Sequence, residues 1–254
     1  VTITGLFPLE SIRAIDFRPL TGELYALGTF SRLYVLNKTT GAATFVGTIA
    51  PISGAIGFDF NPTVDRIRIV SDTDENRRLD PNTGATTAMD TALAYAPGDI
   101  NAGANPRVVG LAYSNNFAGA AATTLYGIDS NLDILVRQDP PNSGILHTVG
   151  TLGVNVSDSV GFDIEAGSGI AYASLPSSIL FGFMDLYRID LSTGAATALS
   201  PFSLMLSSLA IEPPSFSARL SGTVATFTSA GSPLSISIDK SGDNLRHNRF
   251  AAGD

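Results

Sequence analysis

Ile15-Asp16-Phe17, followed by Arg18-Pro19, is a short apolar strand with an acidic residue at its centre, and the chain returns to it four more times. The later copies are Phe58-Asp59-Phe60, Leu111-Ala112-Tyr113, Phe162-Asp163-Ile164 and Leu209-Ala210-Ile211, with central residues 43, 53, 51 and 47 positions apart. Three of them run into a turn that carries Pro19, Pro62 or Pro213.

The first four copies are each followed by the same series. A second strand reads Leu24-Tyr25-Ala26-Leu27, Arg66 to Val70, Leu125-Tyr126-Gly127-Ile128 and Ala171-Tyr172-Ala173. A third reads Leu33 to Leu36, Arg77-Arg78-Leu79, Ile134-Leu135-Val136 and Leu186 to Ile189. A turn ending in Gly41, Gly84, Gly144 or Gly194 then leads to a fourth strand, such as Ala43 to Val46 or Leu146 to Val149. Glycine there supplies the positive φ that tight hairpins need. Four short antiparallel strands at a period of about 40 to 50 residues describe a propeller blade. No segment keeps a helical period of apolar residues. The expected fold is therefore all-β and propeller-like, with repeated four-stranded antiparallel units. Five or six blades are expected, because the terminal strands can be assigned in two ways.

Two regions follow: a repeat domain over residues 1–212 and a β-rich tail over residues 213–254. The tail alternates well from Ala218 to Phe227 and from Leu234 to Ile238, but does not repeat the blade pattern. It either closes the ring, pairing with Val1 to Gly5, or forms a separate hairpin.

Composition narrows the function. Basic residues number 15 and acidic ones 23, a net charge of −8. Nucleic acid demands a basic face, so it is not an expected partner, and no apolar run reaches the length of a membrane span. Cysteine is absent, which removes thiol nucleophiles and thiolate metal sites. The opening residues carry no basic region or long apolar run, and they read as the start of a mature, exported chain. An extracellular or cell-surface location is expected.

The run Ile15-Asp16-Phe17-Arg18-Pro19-Leu20-Thr21-Gly22-Glu23-Leu24-Tyr25 resembles the opening blade of a bacterial, mostly secreted domain of unknown function, the DUF4394 family. Gly57-Phe58-Asp59-Phe60-Asn61-Pro62, with Asp65-Arg66 and Ile69-Val70-Ser71-Asp72, is similar to its second blade, and Ala94 to Val109 is the most specific match. The resemblance covers about residues 1–212. It implies a propeller-like fold and an extracytoplasmic location, and it implies no activity.

Asp16, Asp59 and Asp163 share one position in the innermost strands and are the candidate metal ligands. Hard cations such as calcium take carboxylate oxygens of this kind. The alternative is structural: each Asp accepts hydrogen bonds from a neighbouring blade's backbone. A second candidate, the loop Ser71-Asp72-Thr73-Asp74-Glu75-Asn76, echoes a calcium loop but lacks the glycine and the distal glutamate of an EF-hand. Its plainer reading is a solvated turn. A third, the insert Thr91 to Arg107, is long for a blade connection. It is either a functional loop or a cap over one mouth of the channel. The only histidines, His147 and His247, have no nucleophile elbow beside them.

Three functions compete. The leading one is a non-catalytic extracellular binding or assembly module. The second is a calcium-dependent, lactonase-like propeller hydrolase, which works without Cys or His at its metal. The third is a self-assembling structural subunit whose tail strands, Leu234 to Ile238 especially, add to a neighbour's sheet.

Overall fold

A computed structural model describes residues 1–177, 183–204, 208–221, 224–230, 238–241 and 244–247. Four antiparallel sheets make up the repeat region. The first blade is β1 (Ile12–Phe17), β2 (Leu24–Gly28), β3 (Arg32–Leu36) and β4 (Ala43–Thr48). The second is β5 (Ile56–Asn61), β6 (Arg66–Ser71), β7 (Asn76–Leu79) and β8 (Thr86–Met89). The strand β9 (Ala94–Tyr95) precedes the third blade, β10 (Val108–Tyr113), β11 (Leu125–Asp129), β12 (Ile134–Gln138) and β13 (Ile145–Thr151). The fourth is β14 (Gly161–Ile164), β15 (Ala171–Pro176), β16 (Met184–Ile189) and β17 (Ala196–Leu204). Each blade meanders outward, first strand to fourth, as the repeat predicts.

The arrangement is a four-bladed propeller, not one of five or six blades. The fifth copy of the motif explains the difference. Leu209-Ala210-Ile211 takes an inner position, where Ser208 Oγ accepts from the Ile15 N–H at 3.0 Å and the Ile211 N–H donates to Asp163. Among the described residues, no four-stranded sheet grows from it. The tail forms two-stranded hairpins instead: β18 (Ser215–Ser221) with β19 (Val224–Ala230), and β20 (Ile238–Ser241) with β21 (Asn244–His247). Leu234 to Ser237, most of the strand expected to add to a neighbour's sheet, lies outside the described residues. Val1 to Gly5 pairs with its own first blade, through Thr4 N to Gly41 O at 3.0 Å and Ala43 N to Thr4 O at 2.8 Å. Among the described residues, no helix is long and apolar enough to cross a membrane.

Apolar side chains fill the seams between blades. Tyr25, Leu27 and Leu33 of the first blade pack with Phe58, Phe60, Ile67 and Ile69 of the second. Val109, Ala112, Ile128 and Leu135 of the third meet Phe162, Ile164, Ala173 and Tyr187 of the fourth. Arginines lock the same seams from the side. Arg18 pairs with Asp65 and reaches Asn82 Oδ1 at 2.9 Å. The buried Arg68 donates to Tyr113 Oη at 2.8 Å and to Asn142 Oδ1 at 2.6 Å. Arg107 donates to Asp158 at 2.8 Å.

Gly41, Gly84, Gly144 and Gly194 all have positive φ, between 65° and 84°, at the turns before the fourth strands. A further close approach sits beyond the first and third of these turns. An extra residue breaks the β3–β4 and β12–β13 registers near Gly47 and Gly150. A Cβ at Gly150 would lie 2.1 Å from Thr193 O, and one at Gly47 1.9 Å from Thr83 O, both carbonyls on turns of the following blade. Only glycine lets the turn approach so closely. Gly150→Ala should therefore destabilise the protein by about 2–3 kcal/mol through overpacking. Gly169→Ala, which meets open space at φ 69°, should cost only about 1 kcal/mol of backbone strain. Chemical denaturation of the two variants checks the ranking.

Candidate functional site: three carboxylates on the axis

The innermost strands β1, β5, β10 and β14 and the segment Ser208–Leu209 surround one axial cavity of about 20 Å³. That is room for about one water molecule. The three recurrent aspartates meet on this axis. One oxygen from each of Asp16, Asp59 and Asp163 lies within 4.8 Å of the others, and all three residues are buried.

Backbone N–H groups surround them. Asp16 accepts from Phe17 N at 2.7 Å and from Phe60 N at 2.8 Å. Asp163 accepts from Ile164 N at 2.6 Å and from Ile211 N at 2.5 Å. Asp59 accepts from the Tyr113 N–H. The donors are the residues that follow the central position of all five motif copies, 17, 60, 113, 164 and 211. Each carboxylate bonds the next inner segment around the ring. The structural alternative for these aspartates therefore describes a set of real hydrogen bonds.

The pattern leaves a remainder, because five N–H groups face six oxygens. Position 112 is Ala, so no upstream carboxylate claims the Ile164 N–H, and Asp163 takes it itself. Position 210 is also Ala, and Asp16 takes the Phe17 N–H in the same way. Asp59 has no such option, because its own following N–H, Phe60, is bonded to Asp16. Asp59 Oδ1 is buried without a hydrogen-bond partner among the described residues.

Burial dominates the electrostatics of the trio. It pushes the Asp163 carboxyl up to about 7. Burial, then the charge on Asp163, holds Asp16 well above the usual carboxylate range. Burial, then the charges of Asp16 and Asp163, does the same to Asp59. Three ionised carboxylates this close are tolerable only with a proton or a cation among them.

The other candidates fall elsewhere. In the loop Asp72 to Asn76, Arg107 faces Asp72 at 3.2 Å and Arg77 pairs with Glu75. The Asn76 amide donates to Thr91 O and Pro141 O, so it staples the blade and does not face a ligand. The insert Thr91 to Arg107 is not a cap over the channel. Its β9 adds a parallel strand to β13, and Asp99 accepts from Thr148 N at 2.7 Å, so the insert covers the outer edge of the third blade. Exposed sheet edges invite foreign strands, and this cover removes one. His147 lies on β13 with Nε2 3.1 Å from Asp139 O.

One surface group escaped the sequence reading. Phe7-Pro8-Leu9-Glu10 is a turn closed by Glu10 N to Phe7 O at 3.0 Å, with Leu9 at φ 65° and 95% exposed. Phe7 and Phe30 are half exposed beside it, edge to face at 6.4 Å. The Arg32 guanidinium stands 3.9 Å from the Phe7 ring centroid and 3.7 Å from Glu10. Pro8 in the second place of a turn was the available signal.

With no divalent cation added, Asp16→Ala strands the Phe17 and Phe60 N–H groups and should cost about 2–6 kcal/mol, at about 1–3 kcal/mol for each buried donor. Asp59→Ala strands one donor but also removes an unpartnered carboxylate, and should cost roughly half of that or less. Urea denaturation of the two variants tests the order. Stability should also depend on pH. A carboxyl whose folded pKa exceeds its unfolded value contributes stability at low pH and loses it as pH rises through the folded pKa. Metal-free protein should therefore lose stability between pH about 4 and about 7 as Asp163 ionises. Asp163→Asn should flatten that slope in melts run across the range.

A family described as "Domain of unknown function (DUF4394)" matches the chain over residues 1–210. Among solved structures, the chain is similar to a structural genomics protein of unknown function from Bacteroides thetaiotaomicron, with 15% identity and a TM-score of 0.49. The similarity covers 80% of this chain and 55% of that one, so the chain spans little more than half of that protein's length. No curated protein matches.

Proposed function

The chain belongs to the DUF4394 family, and from that premise we propose that it is a non-catalytic, extracellular assembly module built on a propeller scaffold. The observation that carries this reading is Leu9. A leucine in the left-handed region costs about 1–2 kcal/mol, and glycine or asparagine fills that turn position without the cost. Yet here a bulky apolar side chain is held at 95% exposure. Retaining a strained and exposed leucine makes sense where the side chain itself is used.

The surroundings favour the same use. Phe7, Leu9 and Phe30 form an apolar surface beside Arg32, which is paired with Glu10 at 3.7 Å. Such a surface suits a partner that offers apolar contacts, and the same surface on a second copy of this chain offers them. Aromatic side chains and arginine are also the residues that most often anchor protein interfaces.

The hydrolase reading is weaker on this geometry. A calcium-dependent hydrolase needs a metal position that substrate can reach. The axial carboxylates are themselves buried, and the axial cavity, lined by residues such as Ile15, Phe58 and Phe162, measures about 20 Å³, far below the several hundred Å³ of a ligand pocket.

Sedimentation velocity over a range of concentrations tests the proposal. The parent should self-associate, and Leu9→Gly should abolish association while raising stability by up to about 1 kcal/mol through relief of the turn. A parent that stays monomeric throughout, or a Leu9→Gly variant that associates as well as the parent, overturns the reading.

A further inference from the structure

We infer that the propeller axis is a binding site for one calcium ion, held by Asp16, Asp59 and Asp163. Two independent features of the axis lead there. The first is geometric. One oxygen from each carboxylate lies within 4.8 Å of the other two. Oxygens on opposite sides of a calcium ion stand about 4.6–5.2 Å apart, twice the Ca–O distance of about 2.3–2.6 Å.

The second is Asp59 Oδ1. It belongs to a residue that is 1% exposed, and it has no donor among the described residues. The cause is the hydrogen-bond pattern itself, since Phe60 N, the donor within its reach, serves Asp16. A buried carboxylate oxygen without a donor needs a positive partner. The other five oxygens remain usable too. A carboxylate oxygen carries two acceptor positions, and one N–H occupies only one of them.

Charge and space select the ion. Three carboxylates carry −3, and a divalent ion reduces this to −1, a residue that the surrounding N–H dipoles stabilise. A monovalent ion leaves −2 in a buried site. Magnesium keeps several of its waters and demands near-octahedral geometry, whereas calcium accepts irregular shells of six to eight oxygens. The axial cavity, lined by Ile15, Phe58 and Phe162 among others, has room for about one water and offers no space for a hydrated magnesium ion.

The ion is enclosed by five inner segments, so exchange in the folded state will be slow. The experiment therefore loads it during folding. Protein is unfolded in denaturant with chelator, desalted, refolded with calcium chloride or with chelator, and desalted again. Metal content is then measured by plasma emission, and melting by circular dichroism.

The parent refolded in calcium should retain about one equivalent per chain. With calcium about a hundredfold above its Kd, the melting temperature should rise by about 5–10 °C. Asp59→Asn should retain less than about a tenth of an equivalent and show no calcium-dependent shift, because a neutral amide replaces the unpartnered oxygen. In chelator this variant should melt at or above the parent's temperature, since the repulsion is relieved; that arm also shows that it folds. Asp72→Asn, in the acidic loop, should bind as the parent does.

A parent that retains no stoichiometric calcium and melts identically in both buffers overturns the site, and assigns the charge balance to a proton. Calcium retained undiminished in Asp59→Asn overturns it as well, and places the ion elsewhere. If Asp59→Asn does not fold, Asp163→Asn replaces it: it should likewise retain less than about a tenth of an equivalent and show no calcium-dependent shift. It should melt below the parent in chelator, because its amide leaves one of the Ile164 and Ile211 N–H groups without an acceptor. Undiminished calcium retention in this variant overturns the site.

Discussion

The ring is held at its centre by a bond between an aspartate side chain and the backbone N–H of the next inner segment. A blade's first strand has a neighbour on only one side. Its other edge faces the axis, and its N–H groups there are out of reach of water. Buried donors without acceptors are rarely tolerated. A carboxylate at the middle of one inner strand reaches the donor on the next, as Asp16 reaches Phe60 and Asp163 reaches Ile211. The same bond satisfies the edge and sets the angular position of one blade against its neighbour.

The remainder of the architecture follows from this spacing. With inner strands fixed around the axis, the seams widen outward and must be filled progressively. Close to the axis, Phe58, Phe60 and Phe162 fill them. At the ends of the inner strands, arginines reach across, and the long guanidinium stems of Arg18 and Arg107 span distances that apolar side chains do not. At the rim, Thr83 and Thr193 press their turns onto Gly47 and Gly150 of the preceding blade.

Much of this was legible in the chain because a repeat exposes its own constraints. The period, the strand order and the glycine turns all recur. So does the aspartate, which marks the axial position. Blade number was not legible for a physical reason. Leu209-Ala210-Ile211 carries the inner-strand pattern, and it does take an inner place, but the pattern says nothing about whether three outer strands follow. The edge-covering role of Ala94–Tyr95 was hidden likewise, since two residues show no periodicity. Leu9 was hidden because its backbone angle, and not its identity, is what makes it unusual. The unpartnered oxygen of Asp59 was least legible of all. It depends on which neighbour has already claimed a donor, and that is a property of the closed ring.

The choice of aspartate at three of five positions and alanine at two has a physical logic of its own. Five inner N–H groups face the six oxygens of three carboxylates, and each N–H has an oxygen of its own. Two carboxylates would supply four oxygens, so one of them would have to accept twice. Placing Ala at 112 and 210 is what lets Asp163 and Asp16 each serve two donors, one on its own strand and one on the next. A fourth carboxylate at position 112 would compete for Ile164 N and strand another oxygen, while adding charge to a site that burial already disfavours. The three positions cannot all be separated by alanine in a ring of five, so one adjacent pair is unavoidable. That pair is Asp16 and Asp59, and its second member necessarily keeps one oxygen without a donor. The unpartnered oxygen at the axis is thus a consequence of giving each inner N–H an oxygen of its own.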